Sequence, residues 1–322
     1  MCPDIRGYPD QALQESEEAL RLAYELAHPF SLAFALIYAA GVRQFRDEEH
    51  AAQPGAEAAI ALSDEQGFLF FSARGKSVEG WALTQREQVE EGIALMRQSL
   101  AVYQTLGIKR GQPHVLAVLA EAGGKIGQIE EGLTLVARVH EIITGSDECW
   151  YEAELWRLKG ELTLQKFQVS SFEFQVPSPK TRNQKLKTRN QSVAPDPQGE
   201  AEACFRKAID IARQQAAKSL ELRVVMSLVR LRQQQVLEHG ARSGEHRAKN
   251  ETAGKRESQK ARKPELPPSL PASQHSSFRL AEAHRMLAEV YDWFTEGFDT
   301  KDLQEAQALL EDLGETAKGI KG

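Results

Sequence analysis

The chain has 322 residues, a formal charge of −6 and 41% apolar residues, and an acidic balance argues against non-specific nucleic-acid binding by the chain as a whole. Its three cysteines, Cys2, Cys149 and Cys204, are far apart with no Cys-x-x-Cys, which excludes a disulfide framework and a cysteine zinc site. The longest apolar run, residues 32–42, is too short to cross a bilayer, and the start of the sequence has no apolar signal core, so a cytoplasmic protein without a membrane segment is expected.

Ala, Leu, Glu, Gln and Arg are abundant, and these are good helix formers. Pro9 and Asp10 open a predicted helix over residues 10–26, and Pro29 opens a second over 29–45. A third covers 48–66 and stops at Gly67. Pro54-Gly55 inside it leaves a later start, near Ala56, as the alternative. Further helices are predicted over 68–85, 89–106, 113–125 and 129–144, with Gly107 and Gly145 as stop signals. An eighth starts near Cys149. Beyond a gap, helices follow over 200–212, 219–236 and 279–294. Asp299 or Thr300 is expected to cap a last helix over 302–313, ended by Gly314.

Two segments are near-copies: Gln88-Val-Glu-Glu-Gly-Ile-Ala-Leu95 and Gln128-Ile-Glu-Glu-Gly-Leu-Thr-Leu135, 40 residues apart (128 − 88). The same step runs through two columns of small residues. One is Ala12, Ala52, Gly92 and Gly132; the other is Ala40, Gly80, Ala120 and Gly160. A fixed period with helical spacing is the signature of stacked helix pairs, and small residues let the two helices approach closely. The expected fold is all-α: an α-solenoid of six or seven antiparallel helix hairpins.

The period breaks twice. Residues 166–198 carry six Lys/Arg against two acids, and 238–278 carry eight against five; both contain several prolines. Both read as disordered insertions. The organisation expected is helical repeats over 1–165, a basic insertion over 166–198, a repeat over 199–237, a charged, proline-rich insertion over 238–278, and a terminal repeat over 279–322. Removing both insertions leaves about −13 for the helical body (−6 − 7). The run 170–176 inside the first insertion is strand-prone.

Ala201, Phe205 and Ala208, and Trp156 with Gly160, resemble the tetratricopeptide pattern, although the period here is 40 rather than the usual 34. His28-Pro-Phe-Ser-Leu-Ala-Phe-Ala35, Glu152-Ala-Glu-Leu-Trp-Arg-Leu-Lys-Gly-Glu161 and Trp293-Phe-Thr-Glu-Gly-Phe-Asp-Thr300 are more specific. With Ala56-Glu-Ala-Ala-Ile-Ala-Leu62, they resemble the C-terminal repeat region of bacterial predicted ATPases, often fused to class III adenylate/guanylate cyclase domains. That resemblance implies a sensing or partner-binding role in bacterial signalling. It implies no nucleotide chemistry, because Gly123-Gly-Lys-Ile126 lacks the upstream Gly and the Ser/Thr of a phosphate loop.

Catalytic candidates are weak. His140-Glu-Ile-Ile-Thr144 has Thr where a zinc-protease helix needs a second His, and His140 falls on an apolar stripe. Glu152, Glu154 and Glu161 pair more naturally with Arg157 and Lys159 on one helix than with each other as a catalytic dyad. Cys149 and Cys204, beside Trp150 and Phe205, read as small core residues. No enzyme, cofactor or metal is expected. The basic side chains Lys180, Arg182, Lys185, Lys187 and Arg189 keep nucleic-acid binding as an alternative.

The surface expected to act is the concave face made by the first helix of each hairpin. Its predicted inward positions are Arg74, Ser77, Trp81 and Gln85, then His114, Glu121 and Lys125, then Glu154, Arg157 and Glu161. Mixed charges around a Trp suit a peptide or protein segment as partner, with an ATPase or cyclase module as the partner that the resemblance implies. A regulatory fragment of a split ATPase/cyclase is the other reading.

Overall fold

A computed structural model describes residues 3–144, 149–173, 196–253 and 272–319. It contains twelve helices among these residues. They are α1 (Pro9–Leu26), α2 (Pro29–Phe45), α3 (Glu49–Gln66), α4 (Leu69–Gln85), α5 (Val89–Thr105) and α6 (Gln112–Lys125). α7 (Ile129–Thr144), α8 (Glu152–Glu173), α9 (Pro197–Gln214), α10 (Lys218–Ala253), α11 (Ala272–Tyr291) and α12 (Lys301–Gly319) follow. Consecutive helices pack antiparallel. The even-numbered helices also touch one another in succession, from α2 to α12, whereas the odd-numbered ones touch only their neighbours in sequence. The even helices therefore form an inner layer and the odd helices an outer one, a tetratricopeptide-like solenoid as the sequence predicts.

The 40-residue step is visible in the backbone. α1, α3, α5 and α7 begin at residues 9, 49, 89 and 129. The same turns recur: Ala27, Gly67 and Gly107 are left-handed, and so are Asp47, Glu87 and Gly127. The two columns of small residues meet across each hairpin. A Cβ on Gly80 would lie 2.6 Å from the Gly92 carbonyl oxygen, one on Gly132 would lie 3.1 Å from that of Ala120, and Ala40 and Ala52 are both buried. In the next unit Gly160 instead makes room for an aromatic ring, with its missing Cβ 2.5 Å from Phe205.

α3 keeps its expected span, Glu49–Gln66, rather than the later start near Ala56, because burial of Ala52, Ala56 and Ala59 outweighs the backbone bond lost at Pro54. Several other boundaries differ from expectation, each for a local reason. α8 continues to Glu173 and α10 to Ala253, and α11 begins at Ala272. Polar, charged composition marked these as insertions, yet the stretches hold no proline before Pro177 and Pro264, so nothing breaks the helix. The rest of both insertions lies outside the described residues. α12 passes Gly314 and ends at Gly319; one glycine costs a helix only about 1 kcal/mol. Neither predicted cap serves α12. The Thr300 hydroxyl donates to the Gly297 carbonyl, 2.7 Å, and the Asp299 carboxylate accepts from Arg46. Cys204 is buried as expected, but Cys149 is exposed, at a loop end and away from any core cluster.

The two ends of the array meet. Residues 3–8 lie along the α9–α10 turn, where Ser219 donates through its hydroxyl to the Asp4 carbonyl, 2.6 Å, and Ile5 packs on Ala212, Ala217 and Leu220. The loop between α11 and α12 docks on the start of α1. Glu296 accepts hydrogen bonds from the backbone N–H of Asp10 and Gln11, both 3.1 Å, and the Asp10 carboxylate accepts from the Gly297 N–H at 2.9 Å. α1 has no cap of its own beyond Pro9, so a residue from the other end of the chain supplies it. Arg46, itself buried, joins Asp10, Glu48 and Asp299.

Candidate functional site

The inner layer encloses a recess of about 320 Å³. Each even helix contributes one face, at the i, i+3/i+4, i+7 spacing that a helix needs to present a single stripe. α4 gives Trp81 and Gln85. α6 gives His114, Val118, Glu121 and Lys125, and α8 gives Glu154 and Arg157, with Tyr151 just ahead of it. α10 gives Arg223, Met226 and Arg230, and α12 gives Lys301, Asp302 and Glu305. Gln44, Phe45 and Asp47 complete the wall from the end of α2.

Five acids and five bases thus face one small space, counted from the lining side chains. Most are paired. Arg157 holds Glu154 through Nε and Nη2, at 2.9 and 2.5 Å, and lies 3.6 Å from Glu161. Arg223 donates to Asp302, 2.6 Å, and to the Phe45 carbonyl, 2.7 Å. Arg230 pairs with Glu305 at 2.6 Å and Lys301 with Asp47 at 2.5 Å. The last three of these bridge different elements, so the ion pairs also hold the wall of the recess together.

Two groups stand apart. Glu121 makes no hydrogen bond or ion pair with a described residue, and the Lys125 ammonium, one turn on, donates only to the neutral Gln85 amide, 2.9 Å. Burial pushes the Glu121 carboxyl above its usual range against the pull of Arg157. Burial also works to raise Glu154, but the adjacent Arg157 holds it below the usual range. Asp302 stays raised by burial despite Arg223. His114 is pushed down to about 3 by burial, with Arg74 and Arg223 adding to the shift. It is therefore a neutral ring at physiological pH, stacked on Trp150 and edge-on to Phe45 and Tyr151.

Seven of the ten positions predicted as inward line this recess: Trp81, Gln85, His114, Glu121, Lys125, Glu154 and Arg157. Three do not. Arg74 lines a second depression with Tyr38, Phe70 and Arg110, its guanidinium 5.4 Å from the Tyr38 ring centre. Ser77 is buried within α4, and Glu161 reaches the recess only through Arg157. The largest omission is the wall made by α10 and α12. Arg223, Met226 and Arg230 repeat the spacing of Glu154, Arg157 and Glu161, so the signal was present. The insertions hid it by breaking the 40-residue count after Gly160.

Among the described residues no group of three or more His, Cys, Asp and Glu side chains is placed to hold a metal ion. His140 packs against the Trp156 ring at 4.6 Å between centres, and burial lowers its pKa. No described helix is long and apolar enough to cross a membrane.

No protein-family model matches the chain, and the curated proteins give no match. Solved structures similar to it include nearly identical TPR-like repeats of a kinesin light chain-type protein from Podosopora anserina. A single-substitution form of those repeats is 14% identical with a TM-score of 0.40, over 66% of this chain and 91% of that one. Another is BtubC (BKLC) from P. vanneervenii, 11% identical with a TM-score of 0.42, over 82% of this chain and 99% of that one.

Proposed function

We propose that this chain is a non-enzymatic scaffold that holds a segment of a protein partner in the inner recess. The observation that carries this reading is the mismatch inside an otherwise paired network. Glu121 and Lys125 face the recess one helical turn apart, and neither makes a direct ion pair with a described residue, although Glu121 feels the charges of Arg157 and Lys125. A partner segment that brings a cation to Glu121 and an anion to Lys125 completes the network, with Trp81 and Met226 as apolar contacts. A polar recess of this size takes a few side chains, not a folded domain. The partner class we propose, from the sequence resemblance, is an ATPase or nucleotide-cyclase module in bacterial cytoplasmic signalling.

The test is capture of a saturable partner by the immobilised protein. Glu121→Gln and Lys125→Gln remove charge without breaking a pair, so each variant should keep its helical spectrum and lose most of the capture. Arg157 is the wrong residue to mutate, because its loss strands Glu154 as a buried unpaired charge and destabilises the fold. Capture that both variants retain in full would sink the assignment.

A further inference from the structure

The outer groove between α1 and α2 is apolar and open. It measures about 460 Å³ and is lined in part by Ser16, Ala19, Leu22, Leu26, Phe34 and Tyr38. Leu22 is 50% exposed, Phe34 47% and Tyr38 43%. The repeat shows what such a groove holds. α3 is α1 displaced by 40 residues (49 − 9), and α4 is α2 displaced by 40 (69 − 29). Ala59 on α3 is fully buried, while its counterpart Ala19 is exposed. Val78 on α4 is 2% exposed, against 43% for its counterpart Tyr38. Ala59 and Val78 share one apolar cluster with Ala33, Leu36, Ile37 and Ala40 of α2, the helix that packs on both α3 and α4. Among the described residues no helix packs on α1 and α2 in that way.

The surroundings select a charge. α1 carries Asp10, Glu15, Glu17, Glu18 and Glu25 against Arg21 alone, for a net of −4 (1 − 5). Glu17 is paired with Arg43, Asp10 with Arg46, and Glu18 and Glu25 share Arg21, so Glu15 and the excess acid of the Arg21 cluster leave about −2 beside the groove. We infer that this groove seats an amphipathic helix of a partner polypeptide. That helix presents small and branched apolar side chains in the i, i+3, i+4, i+7 pattern of Ala33, Leu36, Ile37 and Ala40, and carries Lys or Arg along its flanks. Burial of the apolar stripe drives the association, and the acidic rim of α1 orients it. The surface is separate from the inner recess, and the inference does not rest on the reading of that recess.

The probe is a fluorescein-labelled four-turn synthetic peptide with Ala, Leu, Ile and Ala at that spacing and Lys elsewhere, titrated with the full chain and followed by anisotropy. Saturable binding is expected, weaker in added salt. Leu22→Glu and Phe34→Glu, both at exposed positions, should each weaken it at least about tenfold, with an unchanged far-ultraviolet spectrum. No saturable binding, equal binding of a scrambled peptide of the same composition, or indifference to both substitutions overturns the inference. So does a concentration-dependent dimer that Leu22→Glu dissociates, because the groove then belongs to a second copy of the chain.

Discussion

A single buried carboxyl shows how this fold meets pH. Asp4 is 3% exposed, and burial raises its pKa from 3.8 to about 7, with Arg223 only partly offsetting the cost. Below pH 4 both folded and unfolded chains hold the proton. Between about 4 and 7 the folded chain keeps it while the unfolded chain has released it, so stability falls as pH rises through that window. The loss approaches the order of 4 kcal/mol by the top of it. Asp4→Asn keeps the shape and removes the proton. Its unfolding midpoint in urea should therefore gain on the unsubstituted chain as pH rises, with the difference larger at about pH 7.5 than at about pH 5. A constant difference across that range would mean that Asp4 is solvated. The same residue ties the N-terminal segment to the start of α10 through its carbonyl to Ser219, so the side chain that costs stability sits at a joint that supplies it.

At the scale of the helix the repeat works through its turns. Ala27 occupies a left-handed position, φ 50°, that Gly67 and Gly107 fill in the next two units. A side chain there costs about 1–2 kcal/mol, and glycine returns part of that gain through the larger entropy of the unfolded chain. Ala27→Gly should therefore stabilise by about 0.5–1 kcal/mol, read as a higher melting temperature. These turns explain what the sequence made legible. Many helix ends were readable from proline, glycine or the recurring 40-residue step, and α2 falls where those signals place it, whereas Gly314 did not stop α12. The pairing of Gly80 with Gly92 was readable from spacing alone. The α10 and α12 wall of the recess was not, because the insertions change the count without changing the stacking. Nor was the position of Arg74 and Ser77. Helical periodicity places a residue on a face, but only packing of the neighbouring helix decides whether that face looks into a cavity or into α2 and α3.

For the molecule as a whole the decisive feature is that the first helix and the last loop are neighbours. Gly297 makes the contact possible. Its φ is 77°, and a Cβ there would fall on the Pro9 ring. Gly297→Ala should cost about 2–4 kcal/mol, since it combines backbone strain with overpacking. It should also raise amide hydrogen exchange at Asp10 and Gln11, whose N–H groups Glu296 holds. Exchange unchanged at those two amides would show that the loop does not cap α1 in solution. A linear stack of repeats melts from its tips inward, because a terminal unit has a neighbour on one side only and its stability is nearly a sum over units. Here the α11–α12 loop holds the start of α1, so among the described residues the first and last units share contacts that a linear stack lacks. Losing either end then loosens both, and the array melts as one body, with a sharp transition in place of a gradual shortening.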